Sequence, residues 1–335
     1  MRFALSPEQV DFSRSINDLL GNADTPAVIR AWAVGRHDAG LALWRKLAEL
    51  GITALAVPER NGGFGADAVD LAVAFEALGY HGVPGPLTES IAVLPVLLSD
   101  CTDPALADRW LPDLAAGDRV GTLCLPPHVP YALDADIADV RVCVDNGTLH
   151  EFAPSAVGAL YSVDRARRLY TVDTASMAPL AAGPSGRALT YGAFATAAQL
   201  LGAGGRLLDS SVSYAKQRSQ YGQPIGQYQA IKHLLADVVT QVELARPLLY
   251  GAAVALAHNE STSVRDVSAA RVTAADAAYL AARTALQVHG AIGYTAEHDL
   301  GLWLTKVRAL QAAWGTQAFH RKRVLDSLVT MREAS

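Results

Sequence analysis

Charged side chains are scarce in this sequence. Asp, Glu, Lys and Arg make up 18% of its 335 residues, where a soluble domain carries about 25%. With 51% hydrophobic residues, that excludes a disordered chain. Length alone suggests roughly two domains of about 150 residues. Positive charge is short too. The net charge is −5, which argues against a general nucleic-acid binder, since that needs a basic face to displace counterions. Long apolar runs are missing. No stretch reaches the roughly 18 to 20 residues of a membrane span, and the stretch from Met1 to Ser15 turns polar too soon for a secretory signal. Neither a nucleic-acid nor a membrane partner is expected. Cysteine is rare: Cys101, Cys124 and Cys143 are odd in number and lack zinc-site spacing. They read as free thiols in a reducing cytoplasm, and no metal site is expected. Aromatics are only 7%, while Ala and Leu abound, so the core should be mostly close-packed helix.

What is present falls into three parts. Residues 1–118 read as a helical domain. Ser6 can cap a helix that has Pro7 at its first position and Glu8 beside it. Leu41, Trp44, Leu47 and Ala48 have helical spacing up to Gly51. Pro58 to Gly65 holds three glycines and a proline and must be a loop. Helices resume over Asp70–Leu78 and about 87–99. Residues 119–186 carry the strand signals. Val140, Val142 and Val144 alternate with polar or small residues, Asn146-Gly147 is a hairpin turn, and Leu149–Phe152 can return. Leu169–Val172 is a third candidate, and Gly183 to Gly186 reads as a hinge. Residues 187–335 are helical again, in four long segments: Ala193–Lys216, Gln227–Asn259, Ser263–Val288 and Ala312–Arg332. The fold class expected is mainly α, α+β overall, with a small sheet between helical bundles.

Several motifs need weighing. Gly202-Ala203-Gly204-Gly205 lies inside a helical run with no strand before it, so close helix packing explains it better than phosphate binding. Arg218 to Gln229 is a charged, aromatic and amide-rich turn between apolar helices. Arg218 offers a fork for phosphate oxygens and Tyr221 a face for a ring. An ordinary interhelix loop explains it equally well on chemistry alone. Gln287 to Thr295 holds small residues that let a ligand approach the backbone, or simply a glycine helix stop. Trp314-Gly315-Thr316-Gln317 is a glycine break with Thr316 as a possible cap.

In this order and spacing the motifs resemble those of the acyl-CoA dehydrogenases. Arg218 to Gln229 is similar to the family's Arg-x-x-Phe/Tyr-Gly…Gln turn. Gln287 to Thr295 resembles Gln-x-x-Gly-Gly-x-Gly-Tyr. Pro58 to Gly65 resembles Pro-Glu-x-x-Gly-Gly-x-Gly, and Trp110 to Asp118 resembles Tyr-Leu-Pro-x-Leu-Ala-x-Gly-Glu. The likeness runs from about residue 5 to 332. It implies an N-terminal helical domain, a middle β-domain and a C-terminal four-helix bundle. It also implies FAD and the removal of two hydrogens across the α,β bond of an acyl-CoA. In the family a glutamate takes the α-proton and the flavin accepts a hydride.

The resemblance fails at the base. The family's Tyr-Glu-Gly-Thr places a glutamate where this chain has Trp314. Members with the base on an earlier helix place it at the position of Tyr191. No Asp or Glu occurs over 187–205 or 309–321. An indole only donates, and a tyrosine would need its pKa of about 10 lowered greatly. No catalytic residue is therefore expected on this chain. The middle domain is shorter than in the family. Thr122 to Pro130 replaces Thr-Glu-Pro-x-Ala-Gly-Ser-Asp, and Ala318 replaces a glutamine. The losses fall on what holds the flavin ring. The retained motif residues are those that reach a neighbour's FAD at its ADP end: Arg218, Gln220, Tyr221, Gln229, Gln287, Val288, Gly290 and Ala291. The resemblance thus implies one half of an α2β2 acyl-CoA dehydrogenase of the bacterial sterol side-chain type. FAD would be shared with a second chain that carries the flavin pocket and the glutamate. The alternatives are a self-sufficient flavoenzyme with a relocated base, or a non-catalytic scaffold or acyl-binding module.

Overall fold

The computed structural model describes residues 4–153, 159–173, 177 and 179–333. The remaining residues, within parts of all three expected domains, lie outside the description. Six helices come first: α1 (Pro7–Gly21), α2 (Thr25–Ala33), α3 (Asp38–Glu49), α4 (Ala68–Tyr80), α5 (Leu94–Asp100) and α6 (Pro104–Ala116). Ser6 caps α1 as expected. Its hydroxyl accepts from the Gln9 N–H while the Gln9 side chain accepts from the Ser6 N–H, so two otherwise orphaned donors are satisfied. A wide π turn, Thr88–Val93, runs into α5 and is buried throughout.

The middle sheet has four strands in the order β1 (Gly121–Cys124), β3 (Val140–Asp145), β4 (Thr148–Glu151) and β6 (Pro179–Ala182). A two-stranded pair joins β2 (Ala132–Leu133) to β5 (Leu169–Tyr170). The turn between β3 and β4 has φ of +47° at Asn146 and +78° at Gly147, the geometry that made Asn-Gly a hairpin signal. Sequence patterning missed β1, β2 and β6. The first is a wholly buried run of four residues, parallel to β3, so it has no alternation to read.

The expected long helices of the bundle are α7 (Ser185–Gln217), α8 (Gln229–Ala257), α9 (Ser263–His289) and α11 (Gln317–Glu333). The Gly183–Gly186 hinge is shorter than expected, because Ser185 and Gly186 already belong to α7. A fifth helix, α10 (Leu300–Leu310), was not foreseen. Residues 312–316 form the turn between α10 and α11 rather than the start of a helix. The glycine cluster serves packing. A Cβ on Gly202 would stand 1.9 Å from the Glu76 carbonyl oxygen, and one on Gly79 would stand 2.1 Å from that of Gln199. Thus α4 and α7 touch backbone to backbone, which only glycine permits. One apolar core runs from α1 through the sheet to Trp314.

Candidate functional site

Two regions carry the residues singled out above. The first lies at the C-terminal ends of α7 and α9. Arg218 leaves α7 in an extended conformation, with its N–H on the Tyr214 carbonyl at 2.8 Å. A tight hairpin follows, β7 (Ser219–Gln220) and β8 (Gln223–Pro224). Its turn residues, Tyr221 and Gly222, have φ of +51° and +82°, which for tyrosine costs on the order of 1–3 kcal/mol. The hairpin is braced from within: Ile225 N–H donates to the Arg218 carbonyl, and the Tyr228 hydroxyl donates to the Gln220 carbonyl. The strained turn holds Tyr221 outward, 95% exposed.

The second motif meets the first. Tyr214, one turn before Arg218, stacks on His289 with ring centroids 4.4 Å apart. His289 ends α9, and Gly290 takes φ +64° and ψ −142°, a region open essentially to glycine alone. Arg218, Gln220, Tyr221, Gln229, Gln287, Gly290 and Ala291 are all exposed. Val288 is buried and offers only its backbone. Among the described residues Arg218 has no ion-pair partner, and nothing lies within 4 Å of where a Gly290 Cβ would be. An unpaired guanidinium, free amides and an uncovered backbone form a donor set that fits a diphosphate and its ribose.

The second region is centred on Trp314, near the other end of α7. Trp314 has φ +56° and is 2% exposed. A Cβ on Gly192 would stand 2.1 Å from its ring, so the indole fills the space that this glycine leaves. The turn is held from several sides. Arg271, wholly buried, donates to the carbonyls of Leu310 at 2.6 Å and Ala313 at 3.0 Å. His320 Nε2 bonds the Trp314 carbonyl at 2.9 Å; a carbonyl only accepts, so Nε2 carries the proton. Burial lowers the His320 pKa to about 4, so the ring is neutral at pH 7. Tyr191 is half-buried beneath the Arg187 guanidinium, 5.5 Å from its ring centre.

The indole N–H donates to Glu89 Oε1 at 3.2 Å. Sequence reasoning missed this carboxyl. The absence of acids near positions 191 and 314 in the sequence is real, yet the π turn brings one there from the N-terminal region. The available signal was a polar trio, Thr88-Glu89-Ser90, inside an apolar stretch. Burial raises the Glu89 pKa, opposed by the nearby Arg167 charge, and among the described residues Oε2 has no partner. Glu89 is 2% exposed and Trp314 covers it.

A second buried acid sits between β2 and the N-terminal helices. Asp134 Oδ1 accepts from Trp32 Nε1 at 3.1 Å. Burial raises its pKa to about 8, against the hydrogen bond from Trp32 and the charge of Arg167. Between the ordinary Asp value of about 4 and about 8, the folded chain holds a proton that the unfolded chain has lost. The contribution of Asp134 to stability should therefore fall as pH rises through that window. Asp134→Asn, which tolerates the φ of +50° here, should flatten this slope. Urea midpoints of both proteins at pH 5 and pH 8 check it: the stability of wild type relative to the variant should fall between them, a difference in which the opposite contribution of buried histidines such as His320 cancels.

Among the described residues no helix is long and apolar enough to cross a membrane, and no cluster of three or more His, Cys, Asp or Glu suits a metal.

Comparison with known proteins bears on both regions. Residues 6–118 match the model of the acyl-CoA dehydrogenase N-terminal domain, and residues 185–329 that of the C-terminal domain. The chain is 34% identical over 302 residues to the acyl-CoA dehydrogenase IpdE2 of Mycobacterium tuberculosis, covering 90% of this chain and 91% of that one. It is 30% identical to acyl-CoA dehydrogenase FadE34 of the same organism, over 90% of this chain but 45% of that one. Its fold matches a chain of the ChsE4-ChsE5 complex of M. tuberculosis with a TM-score of 0.81 at 24% identity, over 98% and 99% of the two chains. A chain of the Tcur3481-Tcur3483 steroid ACAD gives 0.84 at 23%, over 98% and 99%. This chain belongs to the acyl-CoA dehydrogenase family.

Proposed function

We propose that the chain is one subunit of a heteromeric FAD-dependent acyl-CoA dehydrogenase that desaturates an acyl-CoA thioester of the sterol side-chain class in the cytoplasm. The observation that carries this reading is a contrast between two ends of α7. At one end the position of the family's base is filled by a buried indole. At the other, Arg218, Gln220, Tyr221, Gln229, Gln287, Gly290, Ala291 and the backbone of Val288 stand open. In this reading they hold the ADP part of FAD, while a second family member supplies the flavin pocket and the catalytic glutamate. The bound FAD supplies the hydride acceptor. This chain's own part is to bind and orient the nucleotide end.

Distance supports a division of labour. Gly192 and Arg218 are 26 residues apart on one helix, which places about 39 Å between them at 1.5 Å per residue. A single dinucleotide clamped at Arg218 does not reach the Trp314 end of the same chain. The ChsE4-ChsE5 and Tcur3481-Tcur3483 pairs are precedents for two-chain assembly. In FadE34 the matching part leaves enough length for a second unit of the same size. The division at residues 118 and 187 into helical domain, trimmed β-domain and bundle belongs to the same proposal.

Expression of the chain alone and with its partner tests it. The lone chain should be colourless and inactive, and the pair yellow and active. A lone chain that holds FAD and desaturates acyl-CoA at full rate overturns the reading.

The bundle also leaves apolar side chains uncovered. Leu244 is 62% and Leu248 43% exposed on α8, and Leu325 is 60% and Leu328 50% exposed on α11. Isolated exposed leucines are ordinary, but spacing of three to four residues makes these stripes on two helices of the bundle. The double variant Leu244→Asp/Leu248→Asp should keep the fold, since surface changes cost within about 0.5 kcal/mol. It should fail to assemble, which light scattering after size exclusion will read as a drop in mass.

A further inference from the structure

Two of the chain's three cysteines stand side by side. Cys124 on β1 is in direct register with Cys143 on β3, and these strands run parallel. Register partners on neighbouring strands point to the same face of a sheet. Both thiols are free and buried. Their row continues onto β4, where His150 is the antiparallel partner of Cys143 and shares its face. His150 is half-buried, and its Nδ1 is buried with no partner among the described residues. The intervening residues of these strands, Leu123, Val142, Val144 and Leu149, face the main core. The cysteines belong instead to a small separate cluster with Ala132, Ala135, Phe152 and Tyr170. A satellite cluster with little apolar surface to expose opens at lower cost than a main core, which gives a small reagent its way in.

Neighbouring strands lie about 4.8 Å apart, inside the roughly 4.4–6.8 Å that a disulfide spans between Cα atoms. The two thiols are not equivalent. A hydrogen bond from Cys124 holds the Cys143 pKa below its ordinary value, and the same bond, with burial, raises that of Cys124. Cys143 is therefore the better nucleophile. Among the described residues no group of three or more His, Cys, Asp or Glu suits a metal, so the chemistry open to the row is that of the thiols. We propose that Cys143 and Cys124 form a reversible intramolecular disulfide when the protein meets hydrogen peroxide, with His150 accepting the proton of the attacking thiol. The Cys143 sulfur bonds to one peroxide oxygen, the O–O bond breaks, and the proton passes through His150 to the departing hydroxide. This leaves a sulfenic acid and water. The Cys124 sulfur then displaces the sulfenic hydroxyl, which leaves with the Cys124 proton as a second water. Two thiols lose two electrons and two protons, and the peroxide takes both. Disulfides of reducing compartments are transient in this way, and one held near the short end of its range is readily reduced. The inference rests on strand register alone and does not involve the shared-FAD reading.

The test uses the full chain carrying Cys101→Ser, which leaves only the pair. The folded protein is treated with hydrogen peroxide, then unfolded and alkylated, and its intact mass is read. The reduced chain should take up two labels and the oxidised chain none, with no dimer on a non-reducing gel. Dithiothreitol should restore both labels, and a peptide map should join the segments around Cys124 and Cys143. Adding Cys124→Ser should trap Cys143 as a sulfenic acid that reacts with dimedone. His150→Gln should slow disulfide formation at least about tenfold, at the low end of what a positioned base contributes, and leave the end point unchanged. Thiols that stay free in folded protein under peroxide overturn the proposal, as do irreversible oxidation of either sulfur or cross-links only between chains. An unchanged rate in His150→Gln overturns the assignment of the proton to His150. FAD content plays no part in these readings, so their failure is distinct from a failure at Arg218.

Discussion

Replacing Trp314 by alanine should cost about 3–5 kcal/mol of stability, the range for removing a large buried aromatic. Three features put Trp314 there. Its side chain is 2% exposed. Its ring lies where a Gly192 side chain would be, so nothing from α7 can collapse into the void. Its N–H donates to Glu89 Oε1, and among the described residues Oε2 has no partner. Trp314→Phe separates the contributions. It keeps most of the volume and leaves the carboxyl unpaired, so it should cost about 1–3 kcal/mol. Urea unfolding of the three proteins ranks them. An alanine variant as stable as wild type would mean that the indole is not a filler of the old base position. Trp314→Glu is the sharper probe. It restores the family's residue but sets a second carboxyl beside buried Glu89, where two acids cannot both ionise. The lone chain should remain without dehydrogenase activity and be destabilised at least as much as by alanine. Turnover by that variant alone would show that only the base had been missing.

How much of this was legible in the sequence depends on how far apart the contacts lie. The Asn146-Gly147 hairpin, the Ser6 cap and the long helices follow from neighbours within a few residues. So did the role of Gly202 as a packing residue, although its partner Glu76 was not. The open surface at Arg218 and Gln287 was found as two motifs, and the fold joins them through the Tyr214–His289 stack. Glu89 and Trp314 are 225 positions apart, and no periodicity links them. The short helix α10 was lost for another reason. Leu300 to Leu310 mixes glycine, two β-branched residues and two cations, and its one lysine is buried, bonding the Val83 carbonyl. A buried cation erases the amphipathic pattern that reveals a surface helix.

Arg218→Ala should reduce the FAD affinity of the assembly roughly tenfold to hundredfold. The estimate takes about 1.5–3 kcal/mol for a hydrogen bond to a charged group, at about 1.4 kcal/mol per decade. The substitution should leave the fold alone. Arg218 is exposed, has no ion-pair partner among the described residues, and holds the hairpin through its backbone N–H and carbonyl. Loss of its side chain therefore removes a ligand contact without removing a structural one. Arg218→Lys keeps the charge but not the planar fork, and should recover only part of the affinity. Flavin absorbance at fixed assembly mass, titrated with FAD, reads all three. Salt is a second reading, because a solvent-exposed charge contact is screened. Wild-type affinity should fall with ionic strength more steeply than that of Arg218→Ala. If alanine leaves both the affinity and its salt dependence unchanged, Arg218 belongs to an ordinary interhelix loop, and the cofactor is held elsewhere.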